Sequence, residues 1–433
     1  MLCSNNSGIP RGMSSFVATP HSPTSKVPVP ASAWATLAVL FLVYLLNFLD
    51  RTLIYILFPP IKKELVFSDL QLALLGSTSF VIFYTVLGIP FGRLADRVSR
   101  RKLIAAGLAI WSLFSGLTGF ADSFWTIFLC RVLVGVGEAT LGPAAMSLLS
   151  DLFPPSRRAT VQSLYSAGIP LGAAAAFFLG GQVAATWGWR WAFYLLGFPG
   201  LLLALVVLSL PEPVRGTTET GSQEAPADWR QLRTVPALRW HVLGYAMLAV
   251  ATNSLSIWVP SLLNRAYAVP LPEIGNLSGI SMAISGGMST AFGGVLADRF
   301  RQRRAGGRLR FGAMLALGSA PLWLGLLYSG SLPIMYACFF GLAGLGLGWL
   351  GPAAADIHDM VGPKMRGLGI AVYFFVVNGI GYGIAPPLVG WVSDKLGVAT
   401  NPGVLATALM VCPVACVASA GLLWIAAGKR EGS

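Results

Sequence analysis

The chain has 433 residues, of which 55% are hydrophobic and only 11% are charged. Soluble domains carry about 25% charged residues, so this composition excludes a soluble globular protein and indicates that most of the chain lies in lipid. The net charge of +13 comes from lysines and arginines spread over many short loops rather than one patch, which argues against a nucleic-acid partner.

The first 33 residues are rich in Ser, Pro, Thr and Asn and contain no apolar stretch of signal-peptide length, so residues 1–33 are predicted to be a disordered cytoplasmic tail. Twelve apolar runs follow, and each is long enough to cross a bilayer, which takes roughly 20 helical residues. The predicted spans are 34–59, 70–91, 103–121, 124–148, 159–184, 189–210, 239–263, 275–297, 309–329, 332–355, 367–392 and 403–427.

A polar, proline-containing stretch separates the sixth span from the seventh. We predict that residues 211–237 are a cytoplasmic linker between bundles at 34–210 and 238–428, with a second cytoplasmic tail at 429–433. Most lysines and arginines outside the spans lie in the termini, in this linker and in the loops after spans 2, 4, 8 and 10. The positive-inside rule therefore predicts that both termini are cytoplasmic. We expect the membrane to be a plasma membrane of the bacterial inner-membrane type.

The two predicted bundles are copies of each other. The run from Gly92 to Arg97 after span 2 returns as the run from Gly294 to Arg299 after span 8, and a Gly-Pro-Ala-Ala segment recurs in spans 4 and 10. Duplicated six-helix units are common in transporters, with the substrate site between the halves near mid-membrane. The predicted fold is an all-α membrane protein, with twelve transmembrane helices in two pseudo-symmetric six-helix bundles.

Four charged residues interrupt the apolar runs: Asp50 and Arg51 in span 1, and Arg131 and Glu138 in span 4. Insertion of one such residue at a helix centre costs about 2.5–3.5 kcal/mol, and charges at this depth generally face a bundle interior or an aqueous cavity. A static ion pair that joins two helices remains the alternative. Helix geometry places Asp50 and Arg131 at one level, with Glu138 about two turns nearer the cytoplasm.

The internal repeat favours a functional role for these charges. The positions equivalent to Arg131 and Glu138 in the second half are Phe340 and Leu347, so the charges are not needed to build the six-helix unit. A buried carboxyl that loses an arginine partner takes up a proton, which assigns proton coupling to Asp50 and Glu138. Guanidinium groups suit a phosphate or carboxylate, which assigns substrate or charge-pair roles to Arg51, Arg131 and the neighbouring Asn47.

The loop from Gly92 to Lys102 resembles motif A of the major facilitator superfamily, and Arg131, Gly135 and Gly137 resemble its motif B. This resemblance covers roughly residues 34–428. Within the superfamily, the segments at 47–51, 135–139 and 147–153 are similar to the spinster family, with a prokaryotic member the better fit. The resemblance implies alternating access, transport of amphipathic lipids such as lysophospholipids or sphingoid-type lipids, and proton coupling.

Motif A implies a gate. Asp96 is expected to face the positive N-terminus of a neighbouring helix such as span 11 and to hold the cytoplasmic side closed in the outward-open state; a solvated loop is the alternative. The gating set is Gly92, Arg93, Asp96, Arg97, Asp298 and Arg299. Side chains of the second half that are candidates for lining the cavity, or for plain helix packing, are Asn253, Trp258, Trp349, Tyr373 and Asn378.

We interpret the chain as a secondary transporter, and we consider three alternatives. A symporter of small organic anions would need a polar cavity, and multidrug efflux would use the same fold. A membrane enzyme or receptor is disfavoured because the sequence shows no Ser–His constellation, no metal-ligand cluster, no nucleotide-binding loop and no sizeable soluble domain. We therefore expect no catalytic residues, metal or cofactor, and a monomer whose partners are a small amphipathic or anionic substrate, protons and membrane lipids.

Overall fold

The computed structural model describes residues 29–213, 232, 234–361 and 365–431. Within these ranges there is no strand, and twelve helices are long and apolar enough to cross a membrane, which confirms the predicted fold class. The linker and the N-terminal tail lie largely outside the described residues, and the last helix continues into the predicted C-terminal tail as far as Glu431. The domain boundaries stay predictions. The helices are α1 (Ala31–Leu65), α2 (Asp69–Gly88), α3 (Arg100–Phe120), α4 (Phe124–Leu152), α5 (Thr160–Trp187), α6 (Trp189–Leu208), α7 (Leu238–Tyr267), α8 (Leu271–Arg303), α9 (Gly307–Tyr328), α10 (Leu332–Met360), α11 (Gly367–Lys395) and α12 (Val404–Glu431).

Several helices run beyond the predicted spans because hydropathy stops at the first charged residue whereas the backbone hydrogen bonds continue. The helix α1 extends to Leu65, α7 to Tyr267 and α10 to Met360. Charged residues beyond the predicted spans therefore stand on helices, and three of them are used below. They are Lys62, Arg265 and Asp356.

The start of α1 and the end of α12 lie at one face of the bundle, here called the terminal face; the opposite face is called the distal face. At the terminal face the Trp34 ring meets Phe153, which follows α4, at a centroid distance of 5.1 Å. Arg430 of α12 pairs with Asp356 of α10 at 2.8 Å on the same face. At the distal face the two halves are joined, since Arg265 near the end of α7 reaches Asp69 at the start of α2.

Helices at the boundary between the halves contain wide turns. The π-helical segments Leu74–Thr78, Ser281–Gly286 and Gly379–Ile384 lie within α2, α8 and α11. The helical pattern of α5 is interrupted between Ser166 and Gly168. Such turns are places where helices bend, so each of these four boundary helices has a position at which it can bend.

Two glycines of α4 bring it close to its neighbours. Membrane helices rely on small residues for close approach because lipid supplies no hydrophobic drive for their association. A Cβ on Gly137 would lie 2.7 Å from the carbonyl oxygen of Gly107 on α3, and a Cβ on Gly135 would lie 2.8 Å from that of Phe80 on α2. The adjacent Glu138 is thereby fixed where α4 meets α2 and α3.

Candidate functional site

An ion pair between α1 and α4 forms the centre of the site. The Arg51 guanidinium donates to Glu138 Oε2 from Nη2 at 2.9 Å and from Nε at 3.3 Å. Glu138 is 1% exposed, and its other oxygen, Oε1, has no hydrogen-bond partner among the described residues. One oxygen of this carboxylate is thus paired with Arg51, and the other is left for another donor.

Aromatic rings surround the Arg51 guanidinium. Its Cζ lies 4.8 Å from the Phe48 ring centroid, 4.3 Å from that of Phe80 and 4.8 Å from that of Tyr84. Cations over aromatic faces gain about 0.5–2 kcal/mol, more when desolvated. The rings stabilise the charge of Arg51 and fix the plane of its guanidinium, without occupying its N–H groups.

Asp50 and Arg131 lie behind this pair, deeper in the first bundle. Asp50 is 1% exposed and accepts a hydrogen bond at Oδ1 from the Ser115 hydroxyl of α3 at 2.7 Å. Arg131 is fully buried and donates from Nη1 to the backbone carbonyl of Asp50 at 3.3 Å. Its Nε and Nη2 have no partner among the described residues. The structure therefore brings all four predicted charges together, but Arg131 contacts the Asp50 backbone rather than its carboxylate.

A cavity opens beside the ion pair on the terminal side. It encloses about 200 Å³ and is lined by Tyr44, Asn47, Tyr84, Glu138, Leu141, Gly142, Met146, Gln162 and Tyr165. A second cavity of about 320 Å³ shares Met146 and Gln162 with it and continues along Leu149, Ser150, Arg158 and Val161. Together, the two cavities extend from the buried Glu138 carboxylate to a largely apolar surface between α4 and α5.

The distal face is sealed by a buried carboxylate that both halves share. Asp69 is fully buried and accepts from Arg265 of α7 at 2.7 and 3.1 Å and from the Ser393 hydroxyl of α11 at 2.8 Å. Lys62 of α1 donates to the same carboxylate. The Asp394 carboxylate in turn accepts the backbone N–H groups of Asp69 and Leu70, both at 2.9 Å. This cluster, which is here called the Asp69 seal, was not predicted from the sequence.

Two further contacts close the distal face. The Phe58 ring of α1 meets Trp258 of α7 at 5.9 Å. Between α5 and α8, a Cβ on Gly181 would lie 2.7 Å from the Leu271 carbonyl oxygen, so the backbones of the two halves touch there. Together with the Asp69 seal, these contacts close the described part of the chain between the site and the distal face.

The motif A residues lie at the open terminal side. Asp96, Arg93 and Arg97 are exposed, and the Asp96 carboxylate has no hydrogen bond or ion pair with any other described residue. In the second copy, Asp298 accepts from Arg308 of α9 at 2.7 Å, and Arg299 is exposed. The gate contact expected for Asp96 belongs to the opposite conformation and stays a prediction.

The predicted lining residues of the second half are mostly buried in this conformation. Trp258, Trp349 and Tyr373 are 0%, 3% and 1% exposed, and Asn253 is 9% exposed. Trp349 stacks on Tyr245 at 5.3 Å. Asn378 is partly exposed. A role for these side chains in substrate contact stays a prediction.

Repeat-related ion pairs at the terminal face were also not predicted. Arg100 at the start of α3 donates to Asp151 of α4 at 2.5 Å, and Arg308 donates to Asp359 at 2.7 Å at the equivalent place in the second half. The backbone N–H of Arg100 also donates to Glu212 at 2.6 Å. Partial burial opposes ionisation of Glu212, but the Ser99 hydroxyl and the Arg100 N–H hold the pKa of that carboxyl below its usual value. Within the described ranges, no group of three or more His, Cys, Asp or Glu side chains has the arrangement of a metal site.

Comparison with known proteins agrees with this architecture. The model of the Major Facilitator Superfamily matches residues 40–386. An MFS-type efflux pump of Mycolicibacterium smegmatis is 30% identical over 406 residues, which cover 92% of this chain and 94% of that protein. Protein spinster homolog 1 of Homo sapiens is 31% identical over 395 residues, covering 85% and 74%.

A solved structure is similar over nearly the whole length. It is a bacterial homologue of the human lysosomal transporter spinster, in an inward-facing and unoccupied conformation, with 27% identity and a TM-score of 0.78. The alignment covers 92% of this chain and 96% of that one. A second structure of such a homologue, inward-facing and occupied, has a TM-score of 0.77. The chain belongs to the Major Facilitator Superfamily and is an integral membrane transporter of the spinster type.

Proposed function

We propose that this transporter couples protons to the movement of an amphipathic molecule with an anionic or zwitterionic headgroup, such as a lysophospholipid or a sphingoid-type lipid, by alternating access. The observation that carries the proposal is the Arg51–Glu138 ion pair at the wall of the cavity, where Asn47 and Tyr84 also lie. The neighbouring buried acid, Asp50, supplies a second titratable group within the same bundle.

The proton part follows from competition for Arg51. An anionic headgroup that recruits the guanidinium removes the counter-ion of Glu138, whose side chain is fully buried. A buried carboxylate without a partner is strongly disfavoured and is neutralised by taking a proton from water. Substrate binding at Arg51 and protonation of Glu138 therefore favour each other, as symport requires. A cationic substrate that binds the Glu138 carboxylate would compete with the proton and give antiport instead.

The lipid part follows from the path beyond the ion pair. The Arg51 guanidinium presents a planar set of donors that matches a phosphate or carboxylate. The adjoining cavity continues along Met146, Leu149 and Val161, whose side chains suit an acyl chain. A headgroup at Arg51 and a chain along α4 and α5 would satisfy both ends of a single-chain lipid.

The gates and the orientation belong to the same proposal. We place the terminal face in the cytoplasm, as the distribution of basic residues predicts, so the sealed distal face is external. The conformation described here is then inward-facing, and Asp96 with its neighbours closes the cytoplasmic side in the other state. We place the protein in the plasma membrane as a monomer.

Drug efflux is the second candidate function, and it is favoured by the similarity to the MFS-type efflux pump. Aromatic rings around Arg51 also suit planar drug molecules, and Glu138 would then bind a cationic group. A symporter of small organic anions is the third candidate, and the apolar wall at Leu149 and Val161 counts against it. Glu138 and Arg51 have opposite preferences for substrate charge, so the three candidates are separable.

The test measures binding and proteoliposome transport of a lysophospholipid, a small dicarboxylate and a cationic dye, with and without an imposed proton gradient. Asp50→Asn and Glu138→Gln should each abolish proton-driven accumulation while binding persists, because the amides keep the shape and remove titration. Arg51→Gln should weaken binding of the lysophospholipid. Asp122→Asn, at an exposed distal position, is the matched control.

Two results would refute the proposal. Accumulation against a gradient by both amide variants would leave the carboxyls as a static ion pair. Transport of the dye without transport of any single-chain lipid would favour drug efflux. Transport of the dicarboxylate without any single-chain lipid would favour a symporter of small organic anions.

A further inference from the structure

A buried acid in the second half is not used by the mechanism above. Asp356 of α10 is fully buried; its Oδ1 accepts from Arg430 at 2.8 Å and lies 3.8 Å from Arg308. Its second oxygen, Oδ2, is buried and has no hydrogen-bond partner among the described residues. The equivalent position in the first half, in the register that matches Arg308 with Arg100, is Leu148. Asp356 is therefore not required to build the repeat.

Other buried polar atoms without partners lie beside it. His241 and Tyr245, one turn apart on α7, have ring centroids 4.8 Å from each other, and the His241 ring is 5.6 Å from Tyr373 of α11. The hydroxyls of Tyr245 and Tyr373 and the Nδ1 atom of His241 have no partner within the described chain. His241 Nε2 lies 3.1 Å from the Ala353 carbonyl oxygen, which assigns the proton to Nε2 and leaves Nδ1 as an acceptor.

These atoms and the Asp356 carboxylate converge on one small region. Ala353, which His241 contacts, is one helical turn before Asp356. The Tyr245 hydroxyl points at α9, since a Cβ on Gly312 would lie 2.5 Å from it, and Gly312 is one turn after Arg308. Buried polar groups in native proteins are hydrogen-bonded, and where protein partners are lacking ordered water supplies them.

We propose that Asp356, His241, Tyr245 and Tyr373 bind ordered water and form a second proton-binding site, in the second half of the transporter and separate from Asp50 and Glu138. A hydronium ion transfers its proton to Asp356 Oδ2; the carboxylate becomes a carboxylic acid, a water molecule remains, and nothing is oxidised or reduced. Neutral Asp356 loses its attraction to Arg430 and Arg308, so protonation removes one of the two α10 carboxylates that bind α9 and α12 at the terminal face, and Asp359 remains as the other.

The remaining charges around Asp356 support this assignment. On α8, Asp298 pairs with Arg308, and Arg301 pairs with Asp359 at 3.0 Å. The side chains of Asp298 and Asp359 are 55% and 25% exposed, and His358 is exposed on the surface of α10. These acids still neutralise the arginines when Asp356 is protonated, so the proton costs the cluster little. Asp356 is the fully buried acid among them.

Infrared difference spectroscopy of the purified full-length protein in nanodiscs, recorded between neutral and acidic buffer, tests the site. The background carries Asp50→Asn and Glu138→Gln, so the result does not depend on the proposed coupling site. We expect a carboxylic-acid C=O stretching band that appears on acidification, is lost in Asp356→Asn and is kept in the matched control Asp359→Asn. An unchanged band in Asp356→Asn would overturn the proposal.

Tyr245→Phe keeps the proposal testable if Asp356→Asn fails to fold, because it removes only a hydroxyl. Loss of this contribution to the hydrated site disfavours the carboxylate, so the band should appear about one pH unit higher. Tyr328→Phe, at an exposed tyrosine, should leave it in place. A band that titrates identically in Tyr245→Phe and in the background would show that no shared hydrated site exists.

Discussion

Replacement of Asp69 by Asn should move the transporter toward a conformation that is open at the distal face. Asp69 holds one partner within its own bundle, Lys62, and two in the other bundle, Arg265 and Ser393. The contact with Lys62 joins α1 to α2 within one bundle and is kept when the bundles move as units. It therefore does not contribute to the free-energy difference between the two conformations. The contacts with Arg265 and Ser393 exist only while the halves meet, so their loss acts on the conformational equilibrium.

The size of the effect follows from those two contacts. Asn keeps the shape of Asp and one acceptor oxygen, but it loses the charge and the bidentate acceptor for Arg265. Hydrogen bonds to charged groups contribute about 1.5–3 kcal/mol each. Asn still offers one acceptor oxygen to Arg265 and Ser393, so we count the loss of one charged hydrogen bond. At about 1.4 kcal/mol per factor of ten, the ratio of distal-open to distal-closed protein should rise roughly 10- to 150-fold.

Electron–electron resonance between spin labels at Lys63 and Leu396, which are exposed near the distal ends of α1 and α11, reports this ratio. The variant should populate a longer distance that is rare in the parent. Ser393→Ala, alone and combined with Asp69→Asn, should show non-additive shifts because both act on one carboxylate. An unchanged distance distribution in Asp69→Asn, with the protein still folded, would refute the reasoning and reduce the Asp69 seal to a passive contact.

Three further predictions concern the gates and the topology. Gly181→Ala should also favour the distal-open conformation in the same resonance assay, because its Cβ would meet the Leu271 carbonyl at 2.7 Å; Gly287→Ala on α8, where a Cβ meets nothing within 4 Å, is the control. Asp96→Asn should instead favour the conformation that is open at the terminal face, because the variant loses the expected contact with the N-terminus of α11. Spin labels across the terminal ends of α2 and α11 should then stay far apart. A distance distribution like that of the parent would leave Asp96 as a solvated loop residue. A cysteine at Arg303 should be protected from impermeant maleimide in intact cells, and labelling without permeabilisation would reverse the proposed orientation.

The twelve spans were predictable because apolar length is a local property of the sequence. The charged cluster was predictable in membership, since an Asp, a Glu and two Arg within apolar runs are costly wherever the helices pack. Its pairing was not. Asp50 and Arg51 diverge by about 100° around α1, so the neighbour that each one meets depends on how α1 rotates against α3 and α4. The structure gives Asp50 to Ser115 and Arg51 to Glu138.

The Asp69 seal and Asp356 could not be predicted for a different reason. Their members stand at the ends of helices, where charged residues are normal and a hydropathy pattern assigns them to loops. Arg265 is 196 residues from Asp69 along the chain, and only the packing of the two halves brings these two side chains together. A local pattern contains no information about such contacts, although the Ser68–Gln71 capping box at the start of α2 does mark where that helix begins.

The two gates have related geometry, and this bears on the energetics of cycling. At the distal face Asp394, near the end of α11, accepts the N–H groups of Asp69 and Leu70 at the start of α2. At the terminal face the helix that continues α2 ends at Ala95, and Asp96 follows it directly. Asp96 therefore has the same position relative to α2 that Asp394 has relative to α11, near the C-terminal end of the helix. If Asp96 contacts the start of α11 in the other conformation, each state has one acid-to-helix contact between the same two helices, at opposite faces. The exchange of one contact for the other costs little free energy, and a small gap between states is what lets a substrate or a proton shift the population with a modest difference in affinity.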